Sequence, residues 1–111
     1  MKAVNLFDGI PNDLPEELFV TLLQADGLTI KRIVSQGQSS PPGSWYDQDE
    51  AEWVIVLKGS AVIQCEGEAE PIELQPGSYL NIPAHKRHRV ASTSLTGKTV
   101  WLAVHYRASG S

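Results

Sequence analysis

The chain has 111 residues, 41% of them hydrophobic and 20% charged, which is enough for one globular core but not for two. Its formal net charge of −4 argues against a dedicated nucleic-acid-binding protein, and no apolar run approaches the roughly 20 residues of a membrane-spanning helix. Residues 1–11 lack the long apolar stretch of a signal peptide, and the single cysteine, Cys65, excludes an internal disulfide. We therefore expect a cytoplasmic protein that partners neither nucleic acid nor membrane.

The first third of the chain predicts an arm followed by a hairpin. Glycine, proline, asparagine and aspartate punctuate residues 1–15, an N-terminal arm expected to pack over the domain or a neighbouring subunit. Residues 18–24 are compatible with a helix, because a proline and two glutamates precede them, or with a strand. The turn signal Ala25–Asp26–Gly27 and the β-branched pairs in residues 28–35 favour a hairpin. Residues 36–44 predict a loop.

The remainder of the chain predicts short strands separated by turns rich in glycine and proline. We expect these strands at residues 53–57, 61–66, 71–74, 78–82, 87–92 and 99–106. Many short strands at this spacing are typical of an all-β sandwich or a small barrel.

Residues 77–90, GSYLNIPAHKRHRV, carry the most informative pattern. They alternate as a strand up to Ile82, and Pro83 then ends the strand because proline cannot donate to a β-ladder. His85 and His88 follow, two of only three histidines in the chain. Imidazole is well suited to bind a metal or to move a proton near neutral pH. The pattern therefore predicts one wall of a site.

Two spaced motifs resemble the signatures of the cupin superfamily. Glu52 and Gly59 are separated by six residues, and Gly77 is followed by five residues, Pro83, and then His85 and His88. The first family motif is glycine, five residues, His-x-His, three or four residues, glutamate, six residues, glycine. The second is glycine, five residues, Pro-x-Gly, two residues, histidine, three residues, asparagine.

The resemblance covers residues 28–106 and implies an all-β, single-domain cupin β-barrel of the jelly-roll type. The domain is expected to span residues 1–111, with the barrel core at 28–106. The barrel mouth of this family can hold a divalent metal through the His-x-His pair, the glutamate and the second-motif histidine. Glu52 and His88 occupy the last two of these positions. Strand parity independently places Glu52 at the end of an apolar row with Val54 and Val56.

The sequence departs from the family pattern at the His-x-His slots, which hold Tyr46 and Gln48 in one register or Trp45 and Asp47 in the other. His85 stands where the second motif has its glycine. One possible ligand set is therefore Asp47, Glu52, His85 and His88, which suits zinc, iron or manganese. In the alternative set Gln48 replaces Asp47 as a neutral oxygen ligand. Two histidines and one carboxylate with open positions would permit oxygen chemistry at iron.

Structural interpretations compete with these assignments. His85 can occupy the glycine slot for backbone reasons, because histidine is enriched among non-glycine residues with positive φ. His88 can be a hydrogen-bonded barrel histidine without a metal. Glu52 can form a salt bridge with Arg87 or Arg89. His105 shares a strand face with Trp101 and Ala103, and it points either into the barrel or to the surface.

Two classes of function follow from the resemblance. As an enzyme of the oxygenase, lyase or isomerase type, the chain would act on a small polar or anionic substrate. Pocket residues would then include Tyr46, Gln48, Arg87 and His105, with Arg87 or Arg89 binding a carboxylate or phosphate group. The alternative is a non-catalytic small-molecule-binding or metal-free barrel. In either case we expect a homodimer formed through an apolar strip on the outward face of residues 53–57.

Overall fold

The computed structural model describes residues 1–107, which form eight β-strands and no helix. Residues 108–111, the end of the predicted domain, lie outside the described residues. No helix in the described part of the chain is therefore long and apolar enough to cross a membrane. The strands are β1 Leu18–Ala25, β2 Leu28–Ser35, β3 Ala51–Lys58, β4 Ala61–Cys65, β5 Ile72–Leu74, β6 Tyr79–Ile82, β7 His88–Thr93 and β8 Thr99–Tyr106. The all-β prediction is confirmed.

The strands form two antiparallel sheets with a shared core. The larger sheet has the order β1-β2-β8-β3-β6, and the smaller has the order β5-β4-β7. Buried residues of both sheets form one hydrophobic cluster between them: Val54, Val56, Ala61, Ile63, Cys65, Leu74, Ile82, Trp101 and Ala103. Alternate residues of β3 and β8 point into this core, as the period of two in a strand requires.

The first two strands form the hairpin that the sequence favoured. β1 and β2 pair from Leu18 opposite Val34 to Ala25 opposite Leu28, with an irregularity between Thr21 and Leu23. Gly27 has a φ of 75° in the connecting turn, a conformation that glycine adopts without steric cost. The helical alternative for residues 18–24 is therefore wrong, and the β-branched residues of β2 decide the structure of this segment.

The N-terminal arm packs on the outer face of the larger sheet within the same chain. Three apolar residues of the arm and three residues of the sheet form a second hydrophobic cluster: Leu6, Ile10 and Leu14 from the arm, and Leu18, Val34 and Val100 from the sheet. The buried guanidinium of Arg32 donates hydrogen bonds to the carbonyl oxygens of Leu6 and Asp8, at 2.9 and 2.7 Å. These contacts hold the arm against β2.

The turn between β3 and β4 depends on Gly59. Its φ is 85°, and a Cβ atom there would lie 2.6 Å from Thr99 Oγ1 and 2.7 Å from the Lys98 carbonyl oxygen. The turn therefore needs glycine both for its backbone conformation and for space. This glycine closes the first motif of the sequence, so the motif marks a structural requirement at this end.

The outward face of β3 carries the strip of Trp53, Ile55 and Leu57, all half-buried within the chain. The Trp53 ring lies 5.5 Å from the Tyr79 ring, centroid to centroid, so neighbouring β6 covers part of it. The homodimer stays a prediction. We expect a dimeric mass by light scattering at micromolar concentration, and a monomeric mass would contradict it.

Candidate functional site

Strand register gathers a polar cluster at one end of the core. Glu52 on β3 lies opposite His105 on β8, and His105 lies opposite Thr29 on β2. Glu52 also lies opposite Ile82 on β6. His88 begins β7 in the smaller sheet, so the two sheets approach the cluster from opposite sides.

The carboxylate of Glu52 lies between two imidazoles. Its Oε1 is 3.5 Å from His88 Nε2, and its Oε2 is 3.7 Å from His105 Nε2. The three side chains are 13%, 5% and 12% exposed, respectively, so little water screens them. A buried carboxylate requires a positive or hydrogen-bonding partner, and the two imidazoles are placed to provide it. Of the two orientations considered for His105, the inward one is observed.

A backbone contact fixes the tautomer of His88. Its Nδ1 lies 2.8 Å from the Lys86 carbonyl oxygen, which can only accept a hydrogen bond. Nδ1 therefore carries a proton, and Nε2 faces Glu52. Burial disfavours the charged imidazole, but the Glu52 carboxylate and the Lys86 carbonyl favour it, and together they raise the pKa of His88.

Tyr46 covers His88 from the loop before β3. The two backbones form an isolated antiparallel bridge, with Tyr46 N donating to the His88 carbonyl at 2.7 Å and His88 N donating to the Tyr46 carbonyl at 3.2 Å. The rings lie 5.5 Å apart. Burial and the negative charges of Glu17 and Glu52 raise the phenol pKa of Tyr46. A hydrogen bond to Ser40 lowers it by less, so the net effect is a raised pKa. Tyr46 is therefore a neutral hydroxyl near the cluster at physiological pH.

These residues open into a cavity of about 260 Å³. One part of the wall is polar, formed by Glu17, Lys31, Tyr46, Gln48, Glu52, His88 and His105. The other part is apolar, formed by Phe19, Ile33, Val54, Ile63, Ile82, Val90 and Trp101. The volume lies just below the usual range of about 300–1,000 Å³ for ligand sites. The predicted pocket residues Tyr46, Gln48 and His105 all line it.

Two of the four predicted metal ligands lie elsewhere. His85 Nδ1 is 2.8 Å from Asp47 Oδ1, and its Nε2 is 3.4 Å from Asp49 Oδ1, in an exposed turn outside the cavity lining. His85 has a φ of 63°, so it does occupy the glycine slot in a left-handed conformation. The structure therefore does not bring Asp47 and His85 into one centre with Glu52 and His88, which corrects the predicted ligand set.

The structure also corrects the predicted anion-binding role of Arg87. Its guanidinium contacts Glu66 at 2.8 Å, and both side chains are nearly half exposed and outside the cavity lining. The alternation along β7 explains this, because His88 and Val90 point inward and leave the odd-numbered residues outside. The alternative salt bridge from Glu52 to Arg87 or Arg89 is not formed, since Glu52 contacts the imidazoles instead.

Lys31 and Glu17 also line the cavity, and neither was among the residues predicted from the sequence. A signal for Lys31 was present, because Thr29, Lys31 and Ile33 share one face of the predicted β2. Glu17 precedes β1, and its Oε2 accepts a hydrogen bond from the Ser35 hydroxyl, whose oxygen accepts one from Trp101 Nε1 at 3.1 Å. No local pattern of the sequence predicts that chain of contacts.

The cluster contains suitable donor atoms for a transition metal, since one carboxylate and two imidazoles are common ligands. However, no group of three or more histidine, cysteine, aspartate or glutamate side chains within residues 1–107 is arranged to hold a metal ion. The His-x-His slots contribute only Tyr46 and Gln48 to the cavity. The observed geometry therefore does not fit a preformed metal centre.

Comparison with known proteins agrees with this fold. The cupin domain family profile matches residues 32–105, about two thirds of the chain. The chain belongs to the cupin family. A search of curated proteins found no match.

Solved structures extend the comparison. A protein from Ralstonia eutropha JMP134, described as a candidate mannose-6-phosphate isomerase, is 53% identical, and the match covers 97% of this chain and 100% of that one with a TM-score of 0.93. A cupin superfamily protein from Desulfitobacterium hafniense DCB-2 is 25% identical over 89% of this chain and 84% of its own, with a TM-score of 0.72. The jelly-roll cupin fold predicted from the two motifs is confirmed.

Proposed function

We propose that this cupin binds a small molecule in its barrel cavity and transfers a proton on it, as an isomerase does. The observation that carries the proposal is the buried Glu52 carboxylate between His88 and His105, at 3.5 and 3.7 Å, on the wall of a cavity of about 260 Å³. A carboxylate beside imidazoles provides a base and an acid within reach of one bound molecule.

The name of a similar protein supports the reaction class. The Ralstonia eutropha protein, 53% identical to this chain, is described as a candidate mannose-6-phosphate isomerase. Isomerisation of an aldose to a ketose moves a proton between two adjacent carbons and leaves the composition of the sugar unchanged. Such a reaction needs one group that accepts the carbon-bound proton and another that donates to the carbonyl oxygen.

We assign the role of base to Glu52 and the role of acid to His88 from their positions in the cluster. Glu52 accepts the proton from carbon and returns it to the neighbouring carbon, because its carboxylate is shielded from water by both imidazoles. In its protonated form, His88 keeps its Nδ1 proton on the Lys86 carbonyl and donates the Nε2 proton to the carbonyl oxygen of the substrate. Nε2 then takes up the proton that the neighbouring hydroxyl loses as the new carbonyl forms. The Tyr46 ring covers His88 and limits the entry of water.

A second candidate function is the binding of a divalent transition metal, zinc, iron or manganese, by Glu52, His88 and His105. Two observations favour it. The donor set is appropriate, and the Nδ1 contact of His88 with a backbone carbonyl is the kind that orients metal-binding histidines. This candidate requires the three side chains to converge further than they do here.

The first experiment measures both functions on one preparation. Tag-free protein is analysed for bound metals, treated with a chelator, and incubated with mannose 6-phosphate in deuterated water. The proton-transfer proposal expects the chelator-treated protein to form fructose 6-phosphate that carries deuterium at C1, and to introduce deuterium at C2 of the remaining mannose 6-phosphate. Activity that returns only with added zinc, iron or manganese would favour the metal-binding candidate.

Two matched variants test which carboxylate takes part in proton transfer. Glu52→Gln should reduce exchange by roughly 100-fold or more, because the amide cannot accept the proton. Glu73→Gln, which removes an exposed carboxylate on β5, should leave the rate unchanged. Equal rates in wild type and Glu52→Gln would contradict the role of Glu52. No binding and no exchange with this sugar, with or without metal, would remove it as the substrate.

A further inference from the structure

We infer that Lys31 is the anchor for an anionic group, a carboxylate or a phosphate, on the molecule that occupies the cavity. This inference rests on the proposed ligand-binding function and names the chemical class of the ligand. Lys31 is the only lysine or arginine among the described residues that line the cavity.

The fold places Lys31 next to the proton-transfer cluster. On β2, Thr29 pairs with His105 and Lys31 pairs with Ala103, so Lys31 lies one inward position deeper than the row of Glu52 and His105. Ala103 is fully buried, and Lys31 beside it on β2 lines the same cavity as Glu52 and His105. A ligand held by Lys31 would therefore extend towards Glu52.

The other charges in the cavity already have partners within the described chain. Glu52 lies between His88 and His105. Glu17 accepts the hydrogen bond of the Ser35 hydroxyl. By contrast, Lys31 forms no ion pair with any carboxylate of residues 1–107. Lys31 is half-buried as a residue, and an ammonium without an ion pair in a cavity is favourable to an anion, since burial weakens the screening by water and salt.

Several basic residues outside the cavity contact backbone carbonyls or carboxylates of the chain itself. Arg32 holds the N-terminal arm, Arg87 contacts Glu66, and Lys86 contacts Glu68 at 2.7 Å. Arg89 donates to the Ser40 carbonyl at 3.2 Å. The anionic group that the sequence predicted at Arg87 or Arg89 is thus better placed at Lys31, on the opposite sheet.

The apolar wall limits what the rest of the ligand can be. Ile33, Trp101 and Phe19 line the same cavity as Lys31. A small anion with a short apolar portion would satisfy both kinds of wall, because it would bury its hydrocarbon part while its charge meets the ammonium.

The test compares charged and neutral probes of the same shape. Wild type is titrated with isobutyrate, with its neutral counterpart isobutyramide, and with inorganic phosphate, and binding is followed by the NMR shifts of the cavity residues. We expect at least one anion to bind roughly tenfold tighter than isobutyramide, with weaker binding as salt is raised. Preference for isobutyrate or for phosphate distinguishes the carboxylate from the phosphate class.

Lys31→Gln should remove the preference for an anion over isobutyramide. Lys58→Gln, which removes an exposed lysine at the end of β3, should keep this preference. Lys31→Arg should retain most of it, because the charge is preserved. Absence of any preference for the anions in wild type, or a preference that survives Lys31→Gln, would overturn the inference. Glu52→Gln separates it from the proposed reaction, because anion preference should persist in that variant even where deuterium exchange is lost.

Discussion

Within residues 1–107, two clusters combine carboxylates with histidines, and they differ in burial and in position. In one, Glu52 lies between His88 and His105, and all three side chains are at most 13% exposed. In the other, His85 lies between Asp47 and Asp49 in a turn, where the His85 side chain is 63% exposed. The first lines the cavity and the second does not.

The difference shows that burial, rather than residue type, separates a candidate site from a surface contact. An exposed pair in water contributes about 0–1 kcal/mol and is screened by salt. A carboxylate withdrawn from water interacts more strongly with its neighbours and with any bound molecule.

The largest expected effect distinguishes the two histidines in the reaction. His88→Ala should reduce substrate-dependent deuterium exchange by roughly 100-fold or more, because the proton donor beside Glu52 is lost. His85→Gly should retain the wild-type rate within about twofold, because His85 lies outside the cavity and glycine fits its positive φ. The exchange rate, measured by mass spectrometry of the sugar, checks both variants.

A large loss of exchange in folded His85→Gly would show that the exposed cluster contributes to the reaction. Circular dichroism of each variant controls for unfolding. Asp49→Asn is a second control, because it removes one charge next to His85 and leaves the backbone unchanged.

Much of the fold could be predicted from the sequence because its signals are local. Gly27 and Gly59 mark turns with positive φ, and β-branched residues mark the strands between them. The inward position of Glu52 follows from strand parity with Val54 and Val56, and both are buried as expected. Parity did not decide His105, because the sequence alone does not identify which face of β8 meets the core.

The site was harder to predict because it depends on contacts between distant segments. The motif spacing selected Glu52 and His88, which line the cavity, but it also selected His85, which has a φ of 63° and lies outside the cavity lining. Lys31 and Glu17 reach the cavity only through the pairing of β1 with β2 and of β2 with β8. No spacing within one segment encodes that pairing.

A smaller effect is expected from the two turns with positive φ in the motifs. Gly59→Ala should destabilise the protein by about 3 kcal/mol, because its φ of 85° is strained for alanine and its Cβ would meet Thr99 Oγ1 at 2.6 Å. The free energy of unfolding of His85→Gly should stay within about 1 kcal/mol of the wild-type value, since relief of backbone strain offsets the loss of an exposed contact with Asp47. Urea unfolding measures the stability of both variants. Equal losses of stability in Gly59→Ala and His85→Gly would contradict the expected difference between the two turns.

The smallest effect concerns pH and the buried histidine. The Glu52 carboxylate and the Lys86 carbonyl raise the pKa of His88 above its unfolded value of about 6.5 despite burial, so the folded state holds this proton more tightly than the unfolded chain does. The stabilisation is therefore complete below the unfolded pKa and is lost as pH rises through the folded pKa. In chelator-treated protein, the stability difference between wild type and His88→Gln should shrink from pH 6 to pH 8. A difference for His88→Gln that grows with pH would mean that the neutral imidazole is the form that the folded protein prefers, and Glu52 would then need another cation beside it.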